Sequence, residues 1–293
     1  MNKRLTTSVV ALVTALGLLL TGCGQGEKTV GDGKDKPISI GVVGASQEQW
    51  KVYQQLADEA GIKIELRDFT DYTTENPAVK DGSLDSNQFQ HLLYLARYNK
   101  DQDADLTPIA ATAIYPLALY SKKHGKLEQI PQGGTIAVPN DETNKSRALH
   151  VLAEAKLLKL KDGTGVIAGE EDIDTGASKV KVSPMDAQQT VTSLSSIDGA
   201  IVNNDFVQDA KLDPTSALFS DDATSKAAEP YINVFVVRKA DAENESLKKL
   251  ADLFSDKKFQ QALSKDSGDS AVFVDKSPED LQKILDEITA DLK

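Results

Sequence analysis

The chain holds one cysteine, Cys23, in 293 residues. No intrachain disulfide can form, and no second thiol remains for a redox pair or a thiolate metal cage. Histidine occurs three times, at 91, 124 and 150. These positions are far apart and none sits in a familiar ligand spacing, so no metal site is expected. Positive charge is also scarce: the formal net charge is −12, with no basic stripe. That argues against a nucleic-acid partner. There is no G-x-S-x-G elbow and no P-loop. Gly163 and Gly165 with Gly169 miss the dinucleotide spacing by one residue and follow no clear strand. No cofactor is expected, and with no nucleophile or metal set in view, neither is an enzyme. The paired acids Glu170-Glu171 and Asp221-Asp222 read as solvated faces.

The sequence has one long apolar run, residues 9–20 (VVALVTALGLLL). It is too short to cross a bilayer comfortably. Lys3 and Arg4 precede it and Leu20-Thr21-Gly22-Cys23 closes it. This is the pattern of a bacterial lipoprotein signal with its lipobox. Removal of residues 1–22 would leave a lipidated Cys23 as the new first residue and, with Lys3 and Arg4 gone, a net charge of −14. The expectation is an acyl-anchored (palmitate-type) protein on the extracytoplasmic face of the cell membrane. Residues 23–36 are polar and glycine-rich and read as a flexible tether.

Beyond the tether, strand and helix patterns alternate. Residues 37–43 (PISIGVV) read as a buried strand, and 62–69 (IKIELRDF) as a second one. Between them Trp50, Tyr53, Ala57 and Ala60 recur at helical spacing, with Ser46 as candidate cap. Strand–helix–strand order implies parallel pairing. His91 falls at a strand-to-helix junction. Residues 113–120 (AIYPLALY) are extended, and Pro116 suits a crossover or an edge. A second unit runs from about 121 to 228, including a helix from Glu142 to about Leu158 that Asn140 or Asp141 can cap. Residues 231–238 (YINVFVVR) form a strong strand, and three helical segments end the chain. The last carries Leu281, Ile284, Leu285, Ile288 and Leu292 on one stripe. The fold class is therefore α/β: two lobes joined by two extended crossings, with a cleft between them.

The stretch 138–147 (VPNDETNKSR) organises the candidate site. A capped helix N-terminus favours an anion, and Arg147 lies about a turn and a half inside it. Arg147 is one of four arginines after residue 22. Its guanidinium fork suits a carboxylate. Amide and aromatic residues gather at element ends: Phe69, Tyr72, Asn87, Phe89, His91, Tyr115, Asn140, Asn144, Asn203, Asn204, Tyr231 and Asn233. Amide oxygens can accept from an ammonium, and rings can wall an apolar or thioether side chain. Such a mix fits a free amino acid.

Read in order, Phe69-x-Asp71-Tyr72, the run 85–91 (DSNQFQH), Tyr115-Pro116 with Tyr120-Ser121-Lys122-Lys123, the stretch 138–147, Ala200 to Asn203 and Pro230 to Asn233 carry a resemblance. Together they resemble the methionine-binding lipoproteins of ABC importers, the MetQ/NlpA family, from the lipobox to the last helix. The resemblance implies a two-lobe, type II-like periplasmic-binding-protein fold. Lobe 1 would hold residues 37–116 and 233–293, and lobe 2 residues 117–232. It implies capture of L-methionine and delivery to an ABC permease with its ATPase. By motif, Arg147 would bind the ligand carboxylate with Asn144 close by. Asn203 and Asn233 would hold the amino and carboxyl groups, and Phe69, Tyr72, Phe89, His91 and Tyr115 would wall the side-chain pocket. Asn87 and Asn140 stand between ligand and structural roles. Leu93, Leu119 and Asn204 depart from the family pattern. Asn204, in place of a small hydroxyl residue, bears on ligand preference. D-methionine, a methionine derivative, a methionine-containing dipeptide, or a surface interaction protein with a vestigial cleft are the alternatives.

Overall fold

Strand β1 (Ile38–Val43) is buried along its whole length, as a strand between two parallel neighbours and two covered faces must be. The computed structural model describes residues 29–292. The expected signal segment and the expected lipidation site Cys23 lie outside the described residues. After β1 come α1 (Glu48–Glu59), β2 (Ile64–Phe69), α2 (Glu75–Lys80), β3 (Ser86–His91), α3 (Leu92–Asp101) and β4 (Leu106–Ala111). Short strands β5 (Ala113–Ile114) and β6 (Ala118–Tyr120) flank Pro116. Then follow β7 (Gly134–Pro139), α4 (Glu142–Glu154), β8 (Val180–Met185), α5 (Ala187–Ser193), β9 (Gly199–Val202), α6 (Asn204–Asp209) and β10 (Phe219–Ser220). The chain closes with β11 (Asn233–Arg238), α7 (Glu245–Asp252), α8 (Lys257–Asp266), β12 (Val272–Phe273) and α9 (Pro278–Asp291).

Two five-stranded sheets result. The first has the order β2-β1-β3-β11-β4, with β11 antiparallel to both neighbours. The second has the order β10-β6-β9-β7-β8, with β7, β8 and β9 parallel. Strand β11 follows the whole second sheet in sequence yet inserts into the first, so the chain crosses between the sheets twice. The first crossing is at Tyr115-Pro116-Leu117, where proline's lost N–H costs no ladder bond. Val234 to Val237 are all fully buried, which explains why β11 reads as an unbroken apolar run.

Aromatic rings fill one side of the first sheet. Tyr53 stacks on Phe254 at 4.7 Å, and Trp50 and Phe259 close around them. On the other side α9 buries Leu281 and Leu285 in the same apolar cluster as Leu92 and Leu95 of α3. The second sheet has its own core around Ile136, Val138, Leu149 and Leu152. A fourth apolar cluster joins Val43, Tyr72 and Phe89 to Ala118, Val202 and Phe206, and so bridges the two sheets.

Several local expectations change. Ser46 does not cap α1. Gln47 is the N-cap residue, and the Gln49 N–H donates instead to the Asp266 carboxylate of α8 at 2.7 Å. Helix α4 stops at Glu154 rather than near Leu158, because Lys156 is left-handed (φ 58°) and Leu157 N–H turns back to the Leu152 carbonyl. The polar lead-in expected to be free through Lys36 is held from Val30 onward. Val30 packs on the first core, the Asp32 carboxylate accepts three following N–H groups, and Lys63 N–H donates to the Gly33 carbonyl. Gly41 must lack a Cβ, because one there would meet Leu84 at 2.6 Å and the Glu75 carboxyl at 2.8 Å.

Candidate functional site

Strand ends build the cleft. Strands β7 and β9 are adjacent in one sheet, so α4 after β7 and Asn203 after β9 arrive side by side. In the other sheet β3 ends at His91, and the antiparallel β11 begins beside it at Asn233. The cleft they enclose is tight, with a cavity volume of about 40 Å³. Its lining includes Tyr72, Phe89, His91, Tyr115, Asn144, Arg147, Asn203 and Asn233. Eight of the nine proposed ligand residues therefore meet there. Phe69 does not line it. Its ring packs over Gly41 on the sheet face, 3.2 Å from where a Cβ would be, and belongs to the core.

Arg147 is 5% exposed and already has protein partners. Its Nε donates to Asp221 Oδ2 at 2.7 Å, one Nη donates to the Tyr115 carbonyl at 2.9 Å, and its guanidinium lies 4.0 Å over the Tyr231 ring. The expectation that Asp221 is a solvated acid is thus overturned. Its other oxygen accepts the Leu117 N–H at 2.8 Å, so it ties Arg147 to the crossing. Asp222 remains exposed in a turn with Thr224. Asp221 thus balances the charge of Arg147 inside the site.

The α4 N-terminus is less open to an anion than the sequence implied. Asp141 is the cap, and its carboxylate takes the Asn144 N–H at 2.9 Å. Asn144 Nδ2 donates to both Asp141 oxygens at 3.1 Å. Asn203 Nδ2 donates to Asn144 Oδ1 at 2.9 Å. Asn203 Oδ1 is buried and has no hydrogen-bond partner among the described residues. An acceptor left in that condition costs free energy until a donor arrives. His91 lies 3.4 Å from Asn144 Oδ1 through Nε2, and its Nδ1 accepts the Tyr94 N–H at 3.1 Å. Burial, then the nearby Arg147, push its imidazole down to a pKa of about 3, so it is neutral at ordinary pH.

Rings form the rest of the wall. Tyr72 lies 5.6 Å from Phe89, 5.3 Å from Phe206 and 6.3 Å from Tyr94. The Tyr72 hydroxyl donates to Asp205 Oδ2 at 2.8 Å, from one lobe to the other. Arg97 also crosses, to Glu142 at 2.9 Å. Sequence reasoning missed Tyr94, Asp205 and Asp221. Tyr94 is one turn beyond His91, and that spacing was the available signal. Asn87 is buried in an amide network with Asn76 and Gln90, and Asn140 bonds Asp186 at the surface, so both are structural. His124 pairs with Asp198 at 3.0 Å.

The family model for NlpA lipoproteins matches residues 38–274. A D-methionine-binding lipoprotein MetQ of Escherichia coli is 35% identical over 263 residues, 88% of this chain and 93% of that protein. A crystal structure of a Staphylococcus aureus protein superposes with a TM-score of 0.81 at 32% identity, covering 86% of this chain and 99% of that one. A nutrient-binding protein from Burkholderia cenocepacia, solved bound to methionine, gives a TM-score of 0.76 at 35% identity, covering 81% and 100%.

Proposed function

The chain belongs to the NlpA lipoprotein family, and from that premise we propose that it is a substrate-binding lipoprotein that captures methionine between its lobes and delivers it to an ABC importer. The family is one of binding proteins and not of enzymes. The observation that carries the reading is the pairing, in one cleft, of a buried arginine with a buried, unpartnered Asn203 Oδ1. The arginine has donors for a carboxylate, and the amide oxygen wants a donor such as an ammonium. Tyr72, Phe89 and Tyr94 offer ring edges and faces to a thioether. In this reading lobe 1 comprises residues 37–116 and 233–293, lobe 2 residues 117–232, and Cys23 carries the acyl anchor on the outer face of the cell membrane.

A thermal-shift panel tests it on protein unfolded and refolded to strip carried-over ligand. The panel holds L-methionine, D-methionine, methionine sulfoxide, glycyl-methionine and leucine. A ligand at a hundredfold its dissociation constant adds about 2.7 kcal/mol, which moves the midpoint by at least a few degrees. Methionine-type ligands are expected to shift it and leucine is not. A flat response across the panel would overturn the reading.

The Tyr72–Asp205 bond spans the lobes, so it belongs to the closed form. Tyr72→Phe is expected to lose about 1–2 kcal/mol of ligand affinity, that is, roughly five- to thirtyfold. The loss should appear mainly as faster dissociation in stopped-flow chase experiments.

A further inference from the structure

The amide chain behind the orphan acceptor has a direction. Asp141, as a carboxylate, can only accept. Both its oxygens face Asn144 Nδ2 at 3.1 Å, which turns Asn144 Oδ1 the other way. Asn144 Oδ1 then accepts Asn203 Nδ2 at 2.9 Å, which leaves Oδ1 of this cleft-lining residue buried and free of the relay. His91 backs the same orientation. Its Nδ1 is an acceptor for Tyr94 N–H, so Nε2 carries the ring proton and faces Asn144 Oδ1. Reversing Asn144 would set donor against donor at His91 and acceptor against acceptor at Asp141, and reversing Asn203 would set acceptor against acceptor at Asn144 Oδ1.

We propose that Asp141 is a positioning residue that acts through Asn144 to lock Asn203 with its oxygen toward the ligand, so that the cleft selects an ammonium over a hydroxyl at that point. This rests on the amino-acid reading given above. An ammonium is donor-only, and a site that offers it Nδ2–H repels it. A hydroxyl both donates and accepts, and tolerates either face of the amide. The relay therefore discriminates between an amino acid and its α-hydroxy analogue, although Asp141 touches neither.

The test uses the full chain and two probes: L-methionine and the α-hydroxy analogue in which a hydroxyl replaces the ammonium. Asp141→Asn keeps an N-cap oxygen for α4, since Asn caps about as well as Asp. It replaces one of the two acceptors at Asn144 with a donor and so removes the bias on the amides. Asp141→Ser is the second variant. It also caps the helix but offers one oxygen instead of a carboxylate fork. Circular dichroism confirms that both are folded. The expected result is a loss of about tenfold or more in methionine affinity, with the hydroxy analogue changed less than about threefold, so the preference between them collapses in both variants. Equal weakening of both ligands would mean that Asp141 is only a helix cap and would overturn the proposal. An unchanged preference would overturn it too. Absence of methionine binding by the unmutated chain would instead sink the functional reading, a different failure from that of the relay.

Discussion

Arg147→Ala is expected to lower methionine affinity by at least about a hundredfold. Two losses combine. The ligand carboxylate loses its charged partner, and Asp221 keeps its charge in a largely buried place with its 2.7 Å partner gone. Breaking a buried pair from one side costs about 3–5 kcal/mol, so the variant should also melt earlier. The double variant Arg147→Ala/Asp221→Asn separates the two losses. It should recover part of the lost stability, because the abandoned charge is gone, and none of the lost binding. Arg147→Lys should fall between. It keeps the charge but has no planar fork to serve Asp221, the Tyr115 carbonyl and a ligand together. Titration calorimetry and thermal melts on the same samples check these expectations. Wild-type affinity in Arg147→Ala would remove the guanidinium from the carboxylate site.

Glu75 gives the second large effect, on stability. It is fully buried beside Gly41 and Leu84, and neither carboxyl oxygen has a hydrogen-bond partner among the described residues. Burial first, then the charges of Asp205, Asp71 and Asp68, raise its pKa well above the ordinary carboxylate range. The folded chain thus keeps a proton that the unfolded chain releases above about pH 4.3. Folding stability from this group falls as pH rises through that point, and goes on falling until the raised folded pKa is reached. Glu75→Met, of similar volume and apolar, is expected to stabilise the protein by about 1–3 kcal/mol at neutral pH. The gain should shrink as the pH drops below about 4.3, down to the cost of burying the unpartnered, protonated carboxyl. Denaturant melts at several pH values read it. Buried His91 has the opposite sign, since its lowered pKa removes stability on acidification, but it is present in both proteins and cancels in the difference. A gain that did not depend on pH would show that Glu75 is not held protonated.

The cores were legible because their signals are local and periodic. Strands β1 and β11 show as apolar runs, and α9 as a stripe whose members Leu281, Ile284 and Leu285 are all buried. Much of the site was legible too, because Asn144 and Arg147 are three apart on one helix and so share a face. What escaped was joined across long stretches of chain. The carboxylate that takes the Gln49 N–H of α1 comes from Asp266, and the partner of Arg147 comes from Asp221. Nothing near either acid in sequence tells it from a solvated neighbour such as Asp222. Phe69 looked like a site residue by motif, but the sheet face it occupies is set by Gly41 on the neighbouring strand. Glu75 carries no sequence signal at all. A helix-start glutamate is ordinarily exposed, and only tertiary packing buries this one.

The central claim, one methionine site between the lobes, is tested most directly by titrating L-methionine into the refolded, ligand-free protein in a calorimeter. The account predicts saturation at one molecule per chain, with leucine giving only heat of dilution. Methionine heats no different from leucine's, or binding no tighter than about 1 mM, worth only about −4 kcal/mol, would contradict it.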